Sequence, residues 1–130
     1  MSLRVKLVVP DGEVWAGTAD RVVAKTLDGD IGILGGHTPV LGILAPGSVV
    51  RILPDNAPAG GWINAAVGDG FLSVADNRVS ILARQAMLGS DVDKAAARAA
   101  LESTLGAAQE GEPAEAGYLR AQLRAAGEEA

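Results

Sequence analysis

Hydrophobic and polar residues alternate near the start of the chain. In the stretch LRVKLVV, residues 3–9, an extended backbone would place Leu3, Val5, Leu7 and Val9 on one side and Arg4 and Lys6 on the other. A period of two residues is typical of a strand with one buried face and one face in water. The pattern therefore predicts a β-strand here.

Further segments before residue 90 also have the composition of strands, since they are rich in apolar residues and are bounded by turn-forming residues. The clearest is a hairpin in which Asp76-Asn77 can adopt positive φ angles and form a two-residue turn. Many short strands without intervening helices predict an antiparallel sandwich or barrel. These segments are EVWAG, DRVVAKTL, SVVRIL, GWINAAV and the hairpin FLSVADNRVSILA.

The composition of the chain changes near Ser90: β-branched residues are frequent before it, and alanine is frequent after it. We expect Ser90 or Asp91 to cap a first helix that Gly106 ends, and Pro113 to open a second helix that Gly127 ends. The second helix has an apolar face formed by Leu119, Leu123 and Ala126. The pattern thus predicts a β-sandwich over residues 1–88 and a C-terminal helical hairpin over residues 89–130.

The alanine content of the hairpin bears on how firmly it can be held. Burying one methyl-sized group is worth about 0.8 kcal/mol, whereas ordering one residue costs about 1–2 kcal/mol of backbone entropy. Few large apolar residues follow position 90, so we expect the hairpin to dock weakly and to be able to undock.

Composition and charge exclude several functions. The net charge is -5, and no basic patch appears, so a nucleic-acid ligand is not expected. The chain has no cysteine, which excludes disulfides and thiolate chemistry. No apolar run approaches the roughly 18 residues of a membrane span, and the N-terminal segment lacks the features of a signal peptide. Any membrane role would therefore be peripheral.

A glycine-rich stretch, DGDIGILGGHTPVLGILAPG, occupies residues 28–47 and contains the single histidine, His37. Its glycines do not match the spacing of phosphate-binding loops, and nothing marks a nucleophile for His37 to activate. One histidine without cysteine does not predict a zinc site. Two interpretations remain open: a surface shaped for another protein, and a tight crossover whose isoleucines fill the sandwich core.

Two stretches of this chain resemble the epsilon subunit family of F-type ATP synthases, called delta in mitochondria. They are GDIGILGGHTPVLGILAPGSVVRI, residues 29–52, and VGDGFLSVADNRVSILARQA, residues 67–86. VWAG, residues 14–17, also fits the family pattern. The resemblance covers the whole length and implies a β-sandwich of about ten strands followed by a helical hairpin.

The same resemblance implies a non-catalytic subunit of the rotating central stalk, bound to the gamma subunit and the c-ring and peripheral to the cytoplasmic face of a bacterial plasma membrane. Its hairpin would modulate ATP hydrolysis through transient contacts with the alpha/beta catalytic head. No catalytic or metal-binding residue is expected. The resemblance places the gamma or c-ring contacts on Asp28, Asp30, Ile31, Ile33 and His37.

The chain departs from the family pattern at two positions. Gly35 replaces the usual proline before Gly-His, so we expect a less rigid loop. Some bacterial relatives bind ATP on the hairpin through a motif whose arginine position is Ala96 here, which removes a guanidinium for phosphate. We therefore predict no cofactor, while ATP binding stays open because Arg98 lies nearby. The predicted regulatory residues are Asp93, Arg98, Arg120 and Arg124.

Two other functions compete with the rotor subunit on the residues alone. One is a stand-alone β-sandwich that binds a small ligand at the rim formed by the glycine-rich stretch. The other is a small hydrolase centred on His37.

Overall fold

The computed structural model describes residues 2–107 and 114–127. Within these residues the chain forms nine strands, one short 3-10 turn and two helices. The predicted fold class, a β-domain followed by a helical hairpin, is confirmed. The strands are β1 (Leu3–Val9), β2 (Gly12–Thr26), β3 (Gly29–Leu34), β4 (Val40–Ile43), β5 (Ser48–Pro54), β6 (Ile63–Val67), β7 (Gly70–Ala75), β8 (Arg78–Ala83) and β9 (Ala86–Leu88). The 3-10 turn is Gly89–Asp91, and the helices are α1 (Lys94–Ala107) and α2 (Ala114–Ala125).

The strands pair in the order β4-β7-β8-β1-β2-β5-β6-β9, and β3 pairs with β2. The first half of β2 pairs with β1, and its second half pairs with β3 and β5. β2 therefore links both parts of the sheet, and inward side chains from the two parts form one core. The fully buried large members of that core are Leu3, Val5, Leu7, Val22, Ile33, Leu44, Val50, Ile52, Val67, Leu72, Val74 and Ile81.

Several strand predictions are confirmed, and others were wrong. β1 buries the side chains of Leu3, Val5 and Leu7 as predicted. The β7–β8 turn has φ angles of 52° at Asp76 and 60° at Asn77, which a two-residue hairpin turn requires. EVWAG and DRVVAKTL were expected as separate strands but lie within the continuous β2. One pair, β1 with β8, runs parallel in an otherwise antiparallel sheet.

Half of the glycine-rich stretch is strand, which the sequence analysis did not predict. β3 and β4 both lie within it. Gly29 adopts a φ of 119° where β2 turns into β3, a conformation that favours glycine. Gly32 stands at an exposed strand position where a Cβ would meet nothing. Gly29 therefore allows the turn between β2 and β3, and the apolar residues of the stretch form strands β3 and β4.

The first helix begins one turn later than predicted. Asp93 is its N-cap, since its Oδ1 accepts a hydrogen bond from the Ala96 N–H at 3.0 Å. Neither Ser90 nor Asp91 caps the helix, because both lie in the preceding 3-10 turn. α1 continues one residue past Gly106, and Pro113 lies outside the described residues. Gly127, at φ 93°, follows the end of α2 as predicted.

The α2 helix contacts both α1 and the sheet. One side packs Ala116, Leu119 and Leu123 against Ala97 and Leu101 of α1. On the other side Ala121 and Ala125 pack on Ala66 of β6, with Val49 and Tyr118 against them. The apolar gain from each of these methyl groups is modest, at about 0.8 kcal/mol. Weak docking of the hairpin stays a prediction.

At two glycines the sandwich backbone lies directly against the α2 backbone. A Cβ at Gly47 would come within 2.7 Å of the Gly117 carbonyl carbon. A Cβ at Gly89 would overlap the carbonyl oxygen of Ala125. The docked position of α2 thus depends on the absence of side chains at these two points.

We predict that Gly89→Ala displaces α2 from the sheet, because the added methyl cannot fit beside the Ala125 carbonyl. Amide hydrogen exchange in α2 should become faster while exchange in β1 and β5 stays slow. Gly117→Ala is the matched control, since a Cβ there meets nothing within 4 Å. Equal exchange in α2 of the Gly89→Ala variant and the control would contradict this account of docking.

Candidate partner-binding surfaces

The turn between β2 and β3 presents two of the predicted contact residues. The strands pair up to Thr26 and Gly29, so that Leu27 and Asp28 form the tip. The Thr26 hydroxyl fixes the turn: Oγ1 donates to the Gly29 carbonyl at 2.8 Å and accepts from the Asp28 N–H at 3.2 Å. Asp28 and Asp30 are both exposed. Their carboxylates are therefore available to a neighbour.

Alternation along β3 places the two isoleucines that were predicted to contact a partner on the same, inward side of the strand. Ile33 is fully buried in the core, so its side chain cannot reach a partner and its assignment as a contact residue is corrected. Ile31 is half-buried and packs against the same core. Leu34, the residue that follows Ile33 in the strand, is 52% exposed. Within β3 the sandwich-core interpretation holds for both isoleucines, and the surface interpretation holds for Asp30.

His37 lies in the loop between β3 and β4 and is half-buried. Its Nδ1 is 2.6 Å from the Thr38 carbonyl oxygen. A carbonyl oxygen only accepts, so Nδ1 is the protonated nitrogen. The loop is also held by the Gly36 N–H, which donates to Asn77 Oδ1 at 2.7 Å. The histidine therefore belongs to a fixed loop beside the β7–β8 turn.

The predicted contact residues do not form one cluster. Asp30 begins β3, and His37 follows its far end. Four residues separate Asp30 from Leu34, which is about 13 Å of extended chain. The aspartates and His37 therefore mark opposite ends of the sandwich.

A second surface, which the sequence analysis missed, is the outward face of β4, β7, β8 and β1. Strand register aligns Ile43 with Phe71, Phe71 with Leu82, and Leu82 with Val8. Ile43, Phe71 and Leu82 are 56%, 53% and 49% exposed. We call this line of side chains the apolar row. Exposed apolar residues this close together mark an interaction site more often than scattered ones do.

The apolar row borders a groove of about 670 Å³ at the same end of the sandwich as the β2–β3 turn. Leu27, at the tip of that turn, is 63% exposed and lines the groove, as do Pro10 and Pro46. Leu41, next to the row on β4, is 75% exposed. The signal in the sequence was present: Phe71 and Leu82 stand at positions where alternation predicts polar residues.

The predicted regulatory residues of the hairpin have distinct positions. Asp93 is the N-cap of α1. Arg124 ties α2 to the sandwich, since its Nη2 donates to the Gly47 carbonyl oxygen at 2.8 Å. Arg98 is exposed on α1, and Arg120 is half-buried on α2. In this docked arrangement Arg124 is engaged with the sandwich.

Tyr118, the single tyrosine of the chain, lies at the junction of α2 and the sheet. Burial raises the pKa of its phenol, and a hydrogen bond with Gln122 opposes that change. Because the folded-state pKa lies above that of the unfolded chain, this contribution to stability is present below the ordinary tyrosine pKa and is lost as the pH rises past it. The docked hairpin therefore favours the neutral phenol.

Over residues 2–107 and 114–127, no group of His, Asp or Glu side chains has the arrangement of a metal site. In the same residues no helix is both long and apolar enough to cross a membrane.

Comparison with known proteins agrees with these features. Residues 2–89 match the family model described as the ATP synthase delta/epsilon chain, beta-sandwich domain. An ATP synthase epsilon chain from Thermobifida fusca is 55% identical over 102 residues, which are 78% of this chain and 73% of the relative. One from Frankia casuarinae is 52% identical over 88 residues, or 68% of this chain and 99% of the relative.

Solved structures show the same fold at lower identity. A chain in the Euglena gracilis mitochondrial ATP synthase structure (OSCP/F1/c-ring) superimposes with a TM-score of 0.69 at 22% identity, covering 94% of this chain and 75% of that one. A chain in the Tetrahymena thermophila mitochondrial ATP synthase structure (central stalk/c-ring) superimposes with a TM-score of 0.59 at 19% identity. The match covers 97% of this chain and 91% of that one.

The fold and its surfaces define a β-sandwich subunit with a C-terminal helical hairpin that works by contacting other proteins. Within that class, the match to the family model and the bacterial relatives decides the family. The chain belongs to the ATP synthase delta/epsilon chain family.

Proposed function

We propose that this chain is the epsilon-type subunit of the central stalk of a bacterial F-type ATP synthase. It carries no active site of its own and couples rotation of the c-ring to ATP synthesis in the head. Membership of the family supports this role. The observation that carries it is the exposed apolar row, which a protein acting alone has no reason to leave in water.

Two neighbouring surfaces at one end of the sandwich would serve different partners. The apolar row and its groove would bind the gamma subunit, because burial of Phe71 and Leu82 is favourable only when another protein covers them. The acidic β2–β3 turn, with Asp28 and Asp30, would face the polar loops of the c-ring at the cytoplasmic face of the membrane. The boundary between the sandwich and the hairpin is proposed at 88/89, where β9 ends.

The hairpin would regulate ATP hydrolysis by exchanging its docked position for contacts with the catalytic head. Undocking breaks the bond from Arg124 to Gly47 and frees that guanidinium for acidic groups of the head. Much of the α2 contact with the sheet is made by alanine methyl groups, each of which contributes little, and this lowers the cost of undocking. ATP is not proposed as a ligand, because Asp93 is already used as a helix cap.

Replacing exposed apolar residues in and beside the row should weaken gamma binding. We predict that Leu41→Ser with Phe71→Ser lowers the affinity for the gamma subunit by about tenfold or more, since two large side chains lose their burial. Titration calorimetry on the full chain measures this. Leu34→Ser is the control, because Leu34 is comparably exposed but lies on β3, which is not a strand of this face. Wild-type affinity in the double variant would refute the proposed gamma surface.

A cysteine at position 30 should crosslink to cysteines in the c-ring loops of the assembled complex. Asp20→Cys is the matched control: Asp20 is also an exposed aspartate. Asp30 aligns with Lys25 of β2, five residues from Asp20 or about 17 Å. Crosslinks of equal yield from both positions would show that the β2–β3 turn is not the c-ring contact.

Deletion of residues 91–130 should raise the rate of ATP hydrolysis by the assembled enzyme, because the element proposed to restrain hydrolysis is gone. ATP synthesis should persist, since the sandwich keeps both proposed contacts. The measurement is the hydrolysis rate of enzyme reconstituted with the full or the shortened chain. An unchanged rate would remove the regulatory role and leave the coupling role intact.

A further inference from the structure

The outward face that carries the apolar row has a basic end. Strand register aligns Arg4 of β1 with Arg78 of β8, and both side chains are exposed. We call this pair the basic pair. Two residues further along the same face, Lys6 aligns with Ser80. Another two residues on, Val8 aligns with Leu82 in the apolar row. The face therefore passes from two arginines, through a lysine opposite a serine, to an apolar pair.

The basic pair is unusual for this chain. The net charge is -5, yet two arginines stand opposite each other on neighbouring strands, whose backbones lie about 4.8 Å apart. Like charges directly opposite each other on a sheet are unfavourable. No described carboxylate forms an ion pair with either arginine, although Asp76 lies on the adjoining turn and Lys6 pairs with Glu13 at 3.7 Å.

A partner that brings a carboxylate to the basic pair would relieve this repulsion. The pair is separated from the apolar row by four residues along the strand, which is about 13 Å. One partner segment can therefore contact both ends. Arginine is well suited to this contact, because its planar group can bind a carboxylate through two parallel hydrogen bonds.

We infer that the gamma segment that binds this face presents apolar side chains to the row at Phe71 and Leu82 and acidic side chains, about 13 Å away, to Arg4 and Arg78. The inference rests on the proposed function, since it takes gamma as the occupant of the face. The contacts between acidic side chains and the basic pair set the direction in which the gamma segment lies across the strands. The apolar row contributes the hydrophobic surface that binding buries.

The test compares charge reversals in the full chain. Arg4→Glu with Arg78→Glu should weaken gamma binding by about tenfold at low ionic strength and should flatten the dependence of affinity on salt. Arg4→Gln with Arg78→Gln should give an intermediate loss. Lys25→Glu with Lys94→Glu makes the same change in net charge away from this face, and it should retain wild-type affinity and salt dependence.

Circular dichroism of each variant verifies that the sandwich is folded, which is expected because both arginines are exposed. If the Arg4/Arg78 reversal binds like the Lys25/Lys94 control, the inference is wrong. If at the same time the Leu41/Phe71 serine variant has lost binding, the proposed gamma surface still stands. If that variant also binds normally, both the inference and the proposed surface fail.

Discussion

The pairing register of the strands is the constraint on which the other features of this molecule depend. Each strand sends alternate side chains inward, so a fixed register sets both the core and the pattern on the outside. On β7 and β8 the inward residues fill the sandwich, and the outward Phe71 and Leu82 align with each other. A shift of one residue would bury the basic pair and expose the core.

The helical hairpin is held by a different kind of contact. Its α2 helix meets the sheet through alanine methyl groups, two close backbone approaches at Gly47 and Gly89, and the hydrogen bond from Arg124. Such an interface depends on close fit. A sandwich with one continuous core and a hairpin held largely by small side chains suit a rotor subunit that must transmit torque and also respond to the state of the head.

The sequence was sufficient for the class of fold and for much of its detail. The alternation in residues 3–9 predicted β1, and Asp76-Asn77 predicted the β7–β8 turn. Both predictions depend only on residues close together in the chain, and the structure confirms both. β3 was missed because its glycines suggested a loop, and the burial of Ile33 became visible only once its pairing with β2 was known. The apolar row was missed for the same reason: it is built from four strands, and only their register joins them.

The central claim is that the outward face of β4, β7 and β8 is covered in the assembled stalk. Hydroxyl-radical footprinting of the full chain, with and without the gamma subunit, tests it directly. The account predicts that gamma lowers the labelling of Leu41, Ile43 and Phe71 and leaves Leu34 as reactive as before. Labelling of these three side chains that does not change when gamma binds would contradict it.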